Sequence, residues 1–253
     1  MHEEKITIII VTYNAYPFVK SCLESVFTYT NPKHQIIVVD NYSKKKTREF
    51  LIDLERKEKI NLILNSSNKL WSPANNQGLK ISDEDSQFCL LLNSDVEILK
   101  DNWISELQKP MKYKSIGITG TQYNFVPIKP TYGAVDGCCF MFRKSLLNKI
   151  GFLDEKFPWN GAGFVFTVAA WEKGSYYFHV NDSSLIIHYG KQSRIENKIQ
   201  LNNTKVNVNS VIQNFNLIPK FDFYAYLKYR FGLFDINKYI SSIRKKNNPN
   251  QES

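Results

Sequence analysis

The stretch Phe88-Cys89-Leu90-Leu91-Leu92-Asn93-Ser94-Asp95-Val96-Glu97 constrains the fold more than any other, because a continuous apolar run stops at a polar turn carrying a carboxylate. Apolar residues without alternation predict a strand covered on both faces, and in open α/β sheets ligands bind beyond the carboxyl ends of such strands. Asp95 is thereby placed where a ligand sits. With Asn93 before it and Glu97 after it, it offers oxygen ligands of the kind Mg²⁺ or Mn²⁺ needs to bridge phosphates. The same residues also make ordinary turn chemistry.

Three further segments repeat the pattern. Ile6 to Val11 is β-branched throughout and ends at Thr12-Tyr13-Asn14, after which Phe18, Cys22, Leu23, Val26 and Phe27 fall at helical spacing. Gln35 to Val39 ends in Asp40-Asn41-Tyr42-Ser43 and leads into a charged amphipathic helix from about Thr47 to Lys57. Leu62 to Leu64 makes a short strand ending at Asn65. Apolar strands that each end in Asn, Asp or Thr, with helices between them, predict an α/β fold. Its sheet is mostly parallel, flanked by helices, with the polar strand ends converging on one crevice.

In order and separation, Ile9 to Asn14, Val38 to Ser43, Asn65 to Gly78 and Leu91 to Glu97 resemble the signature of family 2 glycosyltransferases with the Rossmann-like GT-A fold. The likeness is nearest the rhamnosyltransferase-like branch and runs from Ile6 to about Ser193. Each motif is weak by itself; four in order on the right elements are specific. Asp136 to Arg143, Ile150 to Phe157 and Ile187 to Ser193 fit the family's later segments.

The resemblance implies transfer of a sugar from a nucleoside-diphosphate donor, UDP- or dTDP-linked, to a glycan or lipid-linked acceptor in surface polysaccharide or glycoconjugate synthesis. It assigns Thr12, Tyr13, Asn14 and Asp40 to the nucleoside, where a strand-end acid can accept from a base N–H or a ribose hydroxyl. Asn68, Asn76 and Asn93 would face the donor. Asp95 would hold Mg²⁺ or Mn²⁺ against the diphosphate, neutralising the leaving group. His188 matches a histidine near the metal, although a lone His in an apolar strand is also a common packed core residue.

One departure bears on the chemistry. Where the family carries an acidic pair at the start of a helix, this chain reads Asn160-Gly161-Ala162-Gly163, and an inverting transfer needs a carboxylate to take the acceptor's proton. Three readings follow: a substitute base, with Asp136, Asp154 or Glu155 as candidates; a catalytically silent nucleotide-binding or partner protein; or a motif that lies elsewhere. On the donor side, Tyr42-Ser43-Lys44-Lys45-Lys46 replaces a small-residue turn, with the lysines reading as a solvated run or as diphosphate contacts. Leu70 replaces a common Gly. Trp71 either stacks on a base or sugar or fills the sheet–helix interface.

At 253 residues and 43% hydrophobic content, the chain can bury a sizeable core without disulfide or metal. Cys22, Cys89, Cys138 and Cys139 lie in apolar segments without CxxC spacing, so reduced core thiols in a cytoplasmic protein are expected. No signal peptide and no run of about 18 apolar residues is apparent. Residues 1–195 are expected to form the glycosyltransferase-like domain, and residues 196–253 a partly helical extension with a disordered end. Within 221–240, an aromatic and basic amphipathic segment suits a peripheral contact with the inner membrane face, a homo-oligomer contact, or packing on the chain's own domain. The net charge of +9 agrees with an acidic surface as partner. Nucleic acid is not expected, since no recognition motif accompanies the dispersed basic residues.

Overall fold

The apolar runs become strands, and those from Ile6 to Ile10 and from Phe88 to Leu92 are buried on both faces. In the computed structural model, which describes residues 3–121, 137–159, 161–180, 182 and 184–190, β1 (Ile6–Thr12) leads through α1 (Tyr16–Tyr29) to β2 (Gln35–Asp40). Next come α2 (Lys45–Arg56), β3 (Asn61–Leu64), α3 (Trp71–Lys80) and β4 (Phe88–Asn93). The remaining elements are β5 (Val96–Ile98), α4 (Trp103–Gln108), β6 (Ile116–Gly120), β7 (Cys139–Arg143), α5 (Ser145–Ile150), α6 (Ala162–Glu172), β8 (Tyr176–His179) and β9 (Ile186–His188).

The main sheet has the order β3-β2-β1-β4-β7-β6-β8, and β5 pairs separately with β9. β1 runs parallel to both β2 and β4, and β2 parallel to β3, while β7 is antiparallel to β4 and β6. This is the expected mostly parallel sheet with flanking helices. Register sets the crevice: Thr12 lies opposite Asp40, Val11 opposite Asn93, and Asp40 opposite Leu64, so the polar ends of β1, β2, β3 and β4 finish together.

Alternation along the strands divides the core between two faces. Ile9, Ile37, Val39, Leu91, Phe140 and Phe142 share one buried cluster with Ala74 and Leu79 of α3, Leu146 of α5, and Ala162, Phe166 and Ala170 of α6. The Phe142 and Phe166 rings lie 4.8 Å apart, near the favourable separation for an aromatic pair. α3 approaches so closely that a Cβ on Gly78 would stand 2.6 Å from Ile9 Cγ2, which explains a glycine inside a helix. All four cysteines are buried, and Cys22 and Cys89 are free thiols, as expected. The boundary at residue 195 and the segment 221–240 lie outside the described residues.

Candidate functional site

The ends of β1 and β2 are knitted together by the residues the motifs single out. Thr12 Oγ1 donates to Asp40 Oδ1 at 3.0 Å and Ser43 N–H to Asp40 Oδ2 at 3.1 Å, with an Arg48 guanidinium nitrogen 3.8 Å from the same oxygen. Asp40 is 0% exposed. It locks two strand-end turns, because the register sets it directly beside Thr12. Asn14 continues the lattice: its N–H donates to Ser43 Oγ at 2.7 Å, and its Oδ1 accepts from Lys44 N–H at 2.6 Å. Tyr13, half-buried, and Tyr42, 57% exposed, stand on the two turns so fixed.

A second lattice joins β2 and β3 to the start of α3. Asn65 Nδ2 donates to Asn41 Oδ1 and to Gln77 Oε1, at 2.9 and 2.8 Å, while Asn41 Nδ2 donates to Leu70 O at 3.1 Å. Asn68 Oδ1 accepts from Leu70 N–H at 2.8 Å in a local turn. Sequence reasoning did not single out Asn41, Asn65 or Arg48 as site residues. The signal for the two asparagines was there, since each directly follows the last residue of its strand. Arg48 lies one turn into α2 and carries no such mark.

Backbone strain gathers at the same edge. Asn14, Ala15, Tyr42 and Leu70 all have positive φ, whereas elsewhere among the described non-glycine residues only Glu58 does. Such residues cost of order 1–3 kcal/mol each when sparsely populated regions are involved, and they cluster where function fixes the backbone.

At the end of β4, Asp95 and His188 come together. The pairing of β5 with β9 sets Val96 opposite His188, and Tyr189 N–H donates to Asp95 O at 2.9 Å, extending the ladder. Asp95 Oδ1 is then 3.0 Å from His188 Nε2. That is a hydrogen bond and ion pair in this structure, and the same two donor types, a carboxylate oxygen and an imidazole nitrogen, are ones a divalent cation accepts. No third His, Cys, Asp or Glu joins them among the described residues. Asn93 faces the pair, with Nδ2 3.4 Å from His188 Nε2 and Oδ1 accepting the Trp71 indole N–H at 3.3 Å. Glu97 is turned to Tyr189, whose hydroxyl it accepts at 2.5 Å; that bond pushes the phenol pKa up.

Other expected residues stand apart. Asn76 is 2% exposed within α3, where its amide donates to Leu153 O and Glu155 Oε1 and accepts from Leu153 N–H. It fastens α3 to the segment before α6. Asp154 is half-buried and accepts from Lys156 N–H at 2.9 Å in its own turn. Asp136 lies outside the described residues. Trp71 is partly buried against the core cluster, as an interface filler would be, and its N–H reaches the crevice. Of the lysines, Lys45 pairs with Glu49 and Lys46 lies over the Tyr16 ring, the behaviour of a surface run. Ala162 is 1% exposed, and no acid stands in the first turn of α6.

Known proteins share this fold. The mannosyltransferase PcManGT of Pyrobaculum calidifontis, solved with GDP-Man and Mn²⁺, matches with a TM-score of 0.62 at 16% identity, over 74% of this chain and 57% of that one. S. aureus TarS 1-349 in complex with UDP-GlcNAc matches with a TM-score of 0.57 at 17% identity, over 72% and 58%. These likenesses establish the GT-A fold. Glycosyltransferase GlyA of Streptococcus pneumoniae serotype 4 is 26% identical over 123 residues, 49% of this chain but only 17% of that protein. The chain thus spans less than two thirds of each of these proteins. The family model described as glycosyl transferase family 2 matches residues 7–133, which hold the four strand-end motifs and half of the sequence. The chain therefore belongs to glycosyl transferase family 2.

Proposed function

We propose that this domain transfers a sugar from a nucleoside-diphosphate donor, UDP- or dTDP-linked, to a glycan or lipid-linked acceptor of surface polysaccharide or glycoconjugate synthesis. The observation that carries it is the 3.0 Å approach of Asp95 Oδ1 and His188 Nε2 at the mouth of the strand-end crevice. Similar folds that were solved with GDP-Man and Mn²⁺ or with UDP-GlcNAc support the class of donor. A Mg²⁺ or Mn²⁺ ion held by these two residues would supply positive charge to the departing diphosphate. Asn93 orients the pair, the Thr12-Asp40-Asn14 lattice fixes the turns that flank the nucleoside, and Tyr13 and Tyr42 offer rings to its base.

In an inverting transfer the acceptor oxygen bonds to the anomeric carbon as the carbon–phosphate-oxygen bond breaks, and the hydroxyl proton passes to a general base. Asp136 and Asp154 are the candidate bases. The acid-free start of α6 favours a second reading, a nucleotide-binding partner of another transferase without turnover of its own. The proposed setting is the cytoplasm, peripheral to the inner membrane face, in keeping with the net charge of +9.

Calorimetry with UDP and dTDP, with and without Mn²⁺, tests the donor and metal assignment. Binding is expected to need the metal and to weaken at least tenfold in Asp95→Ala. Equal affinity with and without metal, or in both proteins, would remove Asp95 from the metal role.

A further inference from the structure

Sheet order gives the crevice a direction. Neighbouring strands lie about 4.8 Å apart, so the order β3-β2-β1-β4 sets the ends of β2 and β3 about 10 and 14 Å from the end of β4. A nucleoside diphosphate with its phosphates at Asp95, just past β4, and its nucleoside across β1 meets β2 and β3 with the edge of its base farthest from the ribose. In a pyrimidine that edge carries the substituent on C4.

Arg48 stands at that far end. Its Nη1 donates to Asn65 O at 3.3 Å and lies 3.8 Å from Asp40 Oδ2, which ties the guanidinium to the ends of both strands. These anchors are themselves fixed, since Asn65 N–H donates to Asp40 O at 2.9 Å and the Asp40 side chain is fully buried. The Arg48 side chain nonetheless keeps 27% of its surface exposed, and its Nε and Nη2 take no hydrogen-bond partner among the described residues. The exposed Tyr42 ring lies 5.9 Å from its Cζ. A guanidinium can only donate, and it keeps its charge at any pH a protein survives. What the far end of the crevice offers a base is therefore a fixed set of donors.

We infer that Arg48 selects the donor nucleotide by donating to a keto oxygen on C4 of a pyrimidine, so that uracil and thymine are accepted and cytosine is rejected. This rests on the donor and metal reading proposed above, and it supplies a physical reason for UDP or dTDP over CDP. Cytosine carries an amino group on C4, which would meet the guanidinium donor against donor. A site built to bond a substrate oxygen discriminates strongly against an analogue that lacks it, because its own polar group is left unpaired. For a bond to a charged group the difference is about ten- to a hundredfold in affinity.

Calorimetry on the full chain with Mn²⁺ present compares UDP, 4-thio-UDP and CDP in wild type and Arg48→Met. Wild type is expected to bind UDP at least tenfold more tightly than CDP. 4-thio-UDP keeps the N3–H of uracil and replaces only O4, with the weaker acceptor sulfur, so it should bind more weakly than UDP as well. Arg48→Met should weaken UDP about tenfold and CDP less than twofold. A preference for UDP that survives in Arg48→Met belongs to another group, and equal weakening of UDP and CDP marks a phosphate contact or a damaged turn; either result overturns the inference. Wild type that binds 4-thio-UDP or CDP as tightly as UDP overturns it too, and that comparison decides alone if Arg48→Met fails to fold once Asp40 has lost its cation. If wild type binds none of the three, the donor reading itself fails and the inference with it.

Discussion

Thr12 Oγ1 donates to Asp40 Oδ1 at 3.0 Å, joining the last residue of β1 to the last residue of β2 through two fully buried side chains. Asp40→Ala leaves the Thr12 hydroxyl and the Ser43 N–H without their acceptor, and should cost about 3 kcal/mol of stability. Asp40→Asn should cost roughly 1 kcal/mol, because its Oδ1 can still take the Ser43 N–H while Thr12 turns its hydroxyl to accept. Urea unfolding measures both. If Asp40→Ala keeps wild-type stability and loses nucleotide binding, the carboxylate contacts the nucleoside directly after all.

Leu70 carries φ 69 and ψ −174, a backbone region that is essentially reserved for glycine. Its neighbours hold it there through Asn68 and Asn41. At an unstrained position Gly is less stable than Ala by about 0.5–1 kcal/mol. Here the order should reverse, with Leu70→Gly more stable than Leu70→Ala by about 1–2 kcal/mol in urea unfolding. Ala at least as stable as Gly would mean that the turn relaxes and stores nothing.

Much of this architecture was legible in the residues, and the illegible part has one physical cause. Apolar runs such as Phe88 to Leu92 mark buried strands because no alternation survives when both faces are covered. The turn that follows each one marks the crevice edge. Where a polar side chain spends its hydrogen bonds depends on partners far along the chain, which periodicity does not encode. Asn76 finds Leu153 across 77 positions, and Asp95 finds His188 across 93. The first pairing is a structural tie between α3 and the segment before α6. The second brought together two residues that only the family resemblance had associated. The strain at Leu70 falls between these cases: the departure from Gly was visible, and its backbone consequence was not.

His34 gives the fold a dependence on pH far from the crevice. Its Nδ1 accepts from Ile6 N–H at 3.1 Å and its Nε2 faces Glu3 Oε1 at 2.8 Å. Burial lowers its pKa from the ordinary value, opposed by the bond to Glu3 and aided by Lys33 and Lys5. Below about pH 6.5 the unfolded chain then binds the proton more readily than the folded one. The stability due to neutral His34 is therefore complete above that pH and declines as pH falls towards the depressed folded value, by at most about 1.4 kcal/mol per pH unit. Unfolding of wild type and His34→Gln at pH 7.5, 6.0 and 5.0 should show their difference shrinking with acid. A difference that stays constant would place the titration elsewhere.

The start of α6 decides between enzyme and partner, and its two candidate positions are not equivalent. Ala162 is 1% exposed against the core, so Ala162→Glu would bury a carboxylate and should destabilise the protein by several kcal/mol. Gly163 has more room: an added Cβ meets, among the described residues, only the Phe140 ring, at 3.8 Å. An acid there also replaces a helical glycine and sits in the first turn, where it meets the positive end of the helix dipole, together worth about 1 kcal/mol. Gly163→Asp should fold at least as well as wild type. If a missing general base is what limits transfer, it should raise turnover of the preferred UDP- or dTDP-sugar about a hundredfold or more, measured as nucleoside diphosphate released with acceptor present. Asp154, a candidate base, uses only Oδ1 in its own turn, and unchanged turnover in Asp154→Asn would leave Asp136 as the candidate. Fast wild-type transfer that Asp154→Asn abolishes would instead make Asp154 the base. Nucleotide binding without turnover, even in Gly163→Asp, would favour the silent partner.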